Sequence, residues 1–166
     1  MKFQLIIGLA LVLMLGLAWP AQADWQGRVI KVHGGGDILV LHTDDNRNLT
    51  VRLYGLDCPE PDQPFGHAAG SMTEALVIES GRPVTVLEER RDFSGQMLVT
   101  VVLYDGTTLN DRLLLAGLAW IYPKHCVNAQ GCQNLLRLQE RAKLERRGLW
   151  SQENPIPPWQ WQGQKR

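Results

Sequence analysis

Three short apolar segments, divided by turn-forming residues, are the feature that most restricts the fold of this chain. They cover residues 29–32, 38–41 and 49–53. Glycines at 34–36 separate the first two segments, and the polar stretch 43–46 separates the last two. Segments this short between tight turns favour neighbouring antiparallel strands over helices. In the third segment Leu49, Val51 and Leu53 alternate with polar residues, which predicts a strand with one buried face.

Two more strands and three helices are predicted further along the chain. The strands are expected at 83–87 and 97–103, and the helices at 67–79, 110–116 and 134–147. Asn110 is a candidate N-cap for the second helix, and Gly148 is expected to end the third. Five short strands with interposed helices predict a mainly β, α+β fold. We expect a five-stranded OB-type barrel with about three flanking helices, and an open α+β sandwich is the alternative.

The first 23 residues have the layout of a secretory signal peptide. Lys2 precedes an apolar run over 3–19, and small residues at Ala21 and Ala23 form a cleavage signal. The run is short for a membrane span, and no basic flank follows it. We therefore expect cleavage after Ala23, export to the periplasm or the medium, and no stable membrane association.

The exported part is predicted to be one domain over 24–150, followed by a tail over 151–166. Prolines and tryptophans are frequent in the tail, which is expected to be extended or loosely packed rather than helical. Seventeen basic residues balance seventeen acidic ones. This balance argues against a protein that coats nucleic acid through charge alone, although it allows a local site. No feature implies an oligomer, so a monomer is expected.

All three cysteines lie beyond the predicted signal. Cys126 and Cys132 are close together in a loop-like segment, and in an oxidising compartment they are expected to form a disulfide. A zinc site with His125 as a third ligand is the alternative, but it lacks the paired spacing typical of zinc sites. Cys58 is left over, either as a free thiol or as the partner of a cysteine in another chain.

The residues that could carry chemistry concentrate between Arg52 and Glu60. The Arg52 side chain projects from the polar face of its strand. Asp57 and Glu60 follow in the sharp turn after the strand, which Pro59 rigidifies. Asp37, after the glycine turn, adds a third carboxylate. Carboxylates can hold a hard cation and activate water, while arginine can bind a phosphate through two donors. The same residues would also fit turn capping and a structural ion pair.

The segment from Arg52 to Glu60, which reads RLYGLDCPE, resembles the arginine-to-glutamate segment of the staphylococcal nuclease (thermonuclease) family. Gly36-Asp37 matches the position of the family's Asp-Gly-Asp-Thr turn. Further matches occur in the family's order at 109–110, 117–119 and 147–150. The resemblance extends over about residues 27–150.

This resemblance implies an OB-type barrel that cleaves DNA and RNA with one calcium ion. Asp37 and Asp57 would ligate Ca²⁺ through their carboxylates, and Cys58 through its backbone carbonyl. Glu60 would act as the general base or would orient the water. Arg52 would bind the scissile phosphate and stabilise its developing charge.

The chain departs from the family pattern near residue 96. The family's Asp-x-Tyr-Gly-Arg motif supplies a second phosphate-binding arginine, but here Gln96 takes that position and Ser94 replaces the tyrosine. Glutamine can donate a hydrogen bond to phosphate but cannot neutralise charge, so reduced activity is expected. Arg90 and Arg91, in the same region, are candidates to compensate.

Two further departures lie beside the expected metal ligands. Gly35 and Ile38 stand where the family has an acid and a threonine.

Taken together, the motifs predict an exported, metal-dependent endonuclease. One alternative is a catalytically impaired protein that binds nucleic acid or nucleotides. The other is an exported module that binds a partner through its tail.

Overall fold

The computed structural model describes residues 24–42, 44–126 and 129–164, so the predicted signal peptide lies outside the described residues. The strands are β1 (Asp24–Val32), β2 (Asp37–His42), β3 (Asn48–Leu53), β4 (Leu56–Asp57), β5 (Val84–Arg91), β6 (Met97–Val102) and β7 (Trp120–Ile121). The α-helices are α1 (Gly66–Glu74), α2 (Leu109–Leu115), α3 (Ala129–Leu144) and α4 (Pro158–Gln164). A π-helical turn, Ala75–Glu79, extends α1, and a 3₁₀ turn, Gly148–Ser151, follows α3. None of the helices in these ranges has the length and apolar character needed to cross a bilayer.

Five strands close into a barrel in the order β1-β2-β3-β6-β5. All neighbours are antiparallel except β3 and β6, which run parallel. Closure of the sheet confirms the predicted OB-type barrel. It excludes the alternative prediction of an open α+β sandwich, because a closed barrel leaves no free sheet edge. The short strands β4 and β7 pair separately and form a two-stranded ribbon.

Strand β3 fixes which side chains enter the core. Val51 and Leu53 are completely buried in the barrel, whereas Arg52 between them faces the other side and is partly exposed. The alternation predicted from the sequence is confirmed. Its consequence is that Arg52 emerges from a rigid strand, where its backbone is held by pairing on both sides.

Helix α2 begins differently from the sequence prediction. Thr108 is its N-cap, and the Thr108 hydroxyl accepts a hydrogen bond from the Asp111 N–H. The prediction of Asn110 as the cap is wrong. The Asn110 side chain is buried, donates to the Tyr54 carbonyl over 2.9 Å and accepts from the Val101 N–H over 3.2 Å. It therefore links β6 to the end of β3, a contact that local sequence does not indicate.

The C-terminal tail is folded, so the prediction of an extended or loosely packed tail is wrong. Pro158 starts α4, where proline is tolerated because a first-turn N–H needs no partner within the helix. Trp159 then packs near Trp120 and Tyr122, with ring centroids 6.1 and 5.3 Å away. Partial burial of these aromatic rings supplies stabilisation that so short a helix lacks by itself.

The cysteines pair as predicted. Cys126 and Cys132 form a disulfide with a Cα–Cα distance of 5.8 Å, which leaves neither thiol for the alternative zinc site. Cys58 is buried and remains a free thiol.

Two glycines join the end of α2 to the segment after α3. Gly117 has φ of +70° and accepts a hydrogen bond from the Leu149 N–H over 2.9 Å. A Cβ on Gly117 would lie 2.2 Å from the Arg147 carbonyl oxygen, and one on Gly148 would lie 2.3 Å from the Gly117 carbonyl oxygen. Only glycine fits at either position, which gives a physical reason for two of the sequence matches.

We predict that Gly117→Ala destabilises the domain much more than Gly106→Ala. Both glycines have positive φ, but a Cβ on Gly106 meets no atom within 4 Å. Gly106→Ala therefore costs only the strain of placing an alanine in a left-handed backbone conformation, roughly 1–2 kcal/mol. Gly117→Ala adds a backbone collision and is expected to cost at least about 2 kcal/mol more. Urea unfolding of both variants measures the difference, and equal losses would contradict the close packing.

Candidate active site

Most of the site residues predicted from the sequence line one cavity of about 190 Å³ at an end of the barrel. Asp37 and Arg52 come from β2 and β3, Asp57 from β4, and Cys58 and Glu60 from the segment that follows. The glycine turn before β2 and Gln162 of α4 complete the lining. The fold thus unites residues from four parts of the chain.

Arg52 lies between two carboxylates. Its Nη2 donates to Asp57 Oδ1 over 2.6 Å, and its Nε lies 3.9 Å from Asp37 Oδ1. The second distance is too long for a hydrogen bond, although the charges still attract. Antiparallel pairing places Asp37 directly opposite Arg52, so the proximity of these two residues is a matter of strand register.

Burial makes both carboxylates harder to ionise. Asp57 is only 8% exposed, and burial raises its pKa to about 6, although Arg52 opposes the shift. The pKa of Asp37 is also raised, chiefly by burial, with a further contribution from Glu60. The charge of Arg52 therefore does not fully offset the cost of burying the Asp37 and Asp57 carboxylates.

The oxygen atoms fit a hard cation. Asp37 Oδ1 is buried and accepts no hydrogen bond within the described part of the chain. A buried acceptor of this kind is costly unless a partner supplies positive charge. Within the described ranges, no group of three or more His, Cys, Asp or Glu side chains forms a ready metal cluster. A cation here would need backbone carbonyl or water ligands in addition to Asp37 and Asp57, an arrangement that calcium accepts.

Glu60 lies on a tight loop that leads into α1. Its N–H donates to Gln63 Oε1 over 3.1 Å, and its side-chain Oε1 accepts from Gln162 Nε2. Gly66 allows the loop to close, since a Cβ there would lie 1.8 Å from the Glu60 carbonyl oxygen. Both the backbone and the side chain of Glu60 are thus held.

The unusual Gly35 has a packing explanation. A Cβ at this position would lie 2.7 Å from the Ala69 Cβ and 2.8 Å from the Cys58 Cβ. The Gly35 carbonyl also accepts a hydrogen bond from the buried Thr73 hydroxyl over 3.0 Å. The glycine turn therefore lies directly on α1, with no space for an acidic side chain at residue 35.

The weaker substrate-binding candidates do not line this cavity. Arg90 donates to the Lys124 carbonyl over 3.0 Å, and Arg91 to the Gly95 carbonyl over 2.9 Å. The Gln96 N–H donates to Asp92 Oδ1 in the turn between β5 and β6. Each arginine is therefore engaged elsewhere, and none of the three residues lines the cavity wall.

His125 is a residue near the site whose environment the sequence did not indicate. It is 6% exposed and its ring packs edge-on against Tyr122, with centroids 4.5 Å apart. Burial, followed by the charges of Arg52 and Arg90, lowers its pKa to about 4. The imidazole is therefore neutral at physiological pH and adds no cation to the site.

Gln162 was also missed as a site residue. It lies 102 positions from Glu60 in the sequence, and no local pattern connects the two. Only the fold of the tail brings its amide to the cavity.

Comparisons with known proteins agree with this architecture. Residues 50–152 match the model of the family described as staphylococcal nuclease homologue. An uncharacterized endonuclease of Escherichia coli O157:H7 is 37% identical over 89% of this chain and 92% of its own length. A micrococcal nuclease of Shigella flexneri is 30% identical over 93% of this chain and 89% of its own. With the matching domain and the barrel both in place, the chain belongs to the staphylococcal nuclease family.

Proposed function

We propose that this protein is an endonuclease that hydrolyses phosphodiester bonds of DNA and RNA with the help of one calcium ion. The observation that carries the proposal is the cavity in which Arg52 lies between Asp37 and Asp57, with Glu60 on the adjacent loop. Nuclease names among the relatives support the reaction class.

Calcium would be held by the Asp37 and Asp57 carboxylates and the Cys58 backbone carbonyl. Asp37 Oδ1 accepts no hydrogen bond from the described residues and the pKa of Asp57 is raised, and both observations support a site that can take an additional positive charge. When bound, the ion would polarise a phosphate oxygen as a Lewis acid. A backbone ligand explains why Cys58 is acceptable there, since the thiol need not take part.

Arg52 and Glu60 would perform the remaining chemistry. Arg52 has donors beyond the one given to Asp57, and these would bind the scissile phosphate and stabilise charge that develops on it. Glu60 would orient the attacking water and accept its proton. Glu60 is half-buried and lines the cavity, so it can reach a water molecule there.

The rate is expected to be reduced because Arg52 supplies the one guanidinium among the described residues that line the cavity. Gln96 has replaced one arginine, and Arg90 and Arg91 donate to backbone carbonyls instead. Loss of one transition-state donor typically lowers a rate by ~10²–10³. This departure is also the observation that favours the second candidate, a protein that binds nucleic acid or nucleotides without cutting.

The third candidate, a partner-binding module that uses the tail, has less support. The tail packs against its own domain through Trp159 and α4.

We further propose export to the periplasm or the medium, for which the signal-like N-terminus and the Cys126–Cys132 disulfide are the supporting observations.

Glu60→Gln is expected to lower cleavage by roughly 10²–10⁴-fold, because an amide cannot accept the proton of the water. Glu74→Gln is the matched control, since Glu74 is exposed on α1 and does not line the cavity. Single-stranded DNA, duplex DNA and RNA are each incubated with calcium, magnesium or chelator. Full activity of Glu60→Gln would refute its catalytic role. Substrate binding without cleavage by the wild-type chain would favour the second candidate.

Gln96→Arg is expected to raise kcat/KM for DNA, by up to roughly 10², because it restores a charged phosphate donor. Gln133→Arg adds the same charge to an exposed position of α3 and serves as the control. A similar gain in both variants would show a general charge effect rather than a specific contact.

Calcium is expected to stabilise the fold at pH 7.5 and to lose that effect as the pH falls through about 6. Metal binding needs deprotonated carboxylates, and Asp57 takes up its proton with a pKa of about 6 in the metal-free fold. Thermal unfolding with calcium or chelator at pH 7.5 and 5 measures the change in Tm. Asp57→Asn should abolish the increment that the wild-type chain shows at pH 7.5, and persistence of that increment in Asp57→Asn would argue against this site.

A further inference from the structure

Described residues of the C-terminal segment donate or accept hydrogen bonds at three points of the loop that carries Glu60. Gln63 Nε2 donates to the Ile156 carbonyl over 2.6 Å, and Trp161 Nε1 donates to Asp62 Oδ1 over 3.4 Å. Gln162 Nε2 donates to Glu60 Oε1. The loop and the tail are therefore joined at successive points, and the last is a side chain of the candidate site.

Gln63 connects the tail to the backbone of Glu60. Its Oε1 accepts from the Glu60 N–H over 3.1 Å, while its Nε2 donates to the Ile156 carbonyl. Gln63 is only 7% exposed, and both ends of its amide have partners. A buried amide with both ends satisfied fixes the relative position of the groups that it joins.

The same tail also contacts the ribbon that carries Asp57. Trp159 packs near Trp120, and Trp120 is the strand partner of Asp57 in the β4–β7 pair. Tail residues therefore touch both the element that positions Asp57 and the loop that positions Glu60.

We propose that the tail completes the active site and that Gln162 is a positioning residue for Glu60, a role that rests on the proposed nuclease function. The Gln162 amide donates to one oxygen of the Glu60 carboxylate and so restricts rotation of the carboxylate. The other oxygen then keeps one orientation toward the cavity. Partners that orient a reacting group in this way typically change activity by roughly 10–100-fold when removed.

Positioning explains the contacts better than blockage of the site. Gln162 contacts Glu60 on the loop before α1, whereas Asp37 and Arg52 belong to the barrel strands β2 and β3. The three tail bonds are made to residues 60–63, and the paired side chains Arg52 and Asp57 keep their own partnership.

The test compares Gln162→Met with Gln160→Met in the full exported chain. Methionine preserves the length of the side chain and removes the donor, and Gln160 is an exposed glutamine of the same helix. Gln162→Met is expected to lower kcat roughly tenfold with KM changed less than about twofold, whereas Gln160→Met leaves both unchanged. Thermal unfolding should give the same Tm for the two variants, because Gln162 is exposed.

A double-mutant cycle with Glu60→Gln separates positioning from a merely structural role. If Gln162 acts through Glu60, Gln162→Met should have no further effect on the residual rate of Glu60→Gln. An equal loss in both backgrounds, an unchanged kcat or an increased kcat in Gln162→Met would overturn the inference. Those results would leave the nuclease function intact if the wild-type chain cuts. No cleavage by the wild-type chain in any metal would overturn both proposals.

Discussion

The ion pair between Arg52 and Asp57 is the interaction on which the candidate site depends. It joins a strand of the barrel to the separate β4–β7 ribbon across 2.6 Å. Removal of one partner would leave an uncompensated charge in a partly buried place, which is more costly than loss of the pair as a whole. Asp37 adds a second carboxylate to the same guanidinium through strand register.

Burial of the two carboxylates lowers the stability of the metal-free fold. Burial raises the pKa of Asp57 to about 6 and also raises that of Asp37, which means that the folded chain resists their ionisation. Both carboxylates therefore oppose folding in their charged forms at neutral pH unless a cation is present. Their cost is tolerated because the barrel core beneath them is completely buried at Val51 and Leu53.

Much of the fold was predictable because its information is local. The alternation around Arg52 sets the faces of β3, and short segments between glycine and polar turns set the barrel strands. The helix cap and the tail were predicted wrongly for one shared reason. Asn110 and Trp159 contact residues that are distant in the chain, such as Tyr54 and Tyr122. The helix and turn preferences of neighbouring residues do not indicate such long-range partners.

The barrel strands, the disulfide pair and the identity of the acids and the arginine could be read from the amino-acid sequence, because they depend on periodicity, on neighbouring cysteines and on a contiguous segment. Which of those groups lie next to one another depends on how the whole chain folds. Strand register put Asp37 opposite Arg52, and the tail brought Gln162 to Glu60. The fold also excluded Arg90 and Arg91 from the cavity, because backbone carbonyls bind their guanidinium groups. Such long-range contacts form only when the whole chain has packed, so no local pattern can encode them.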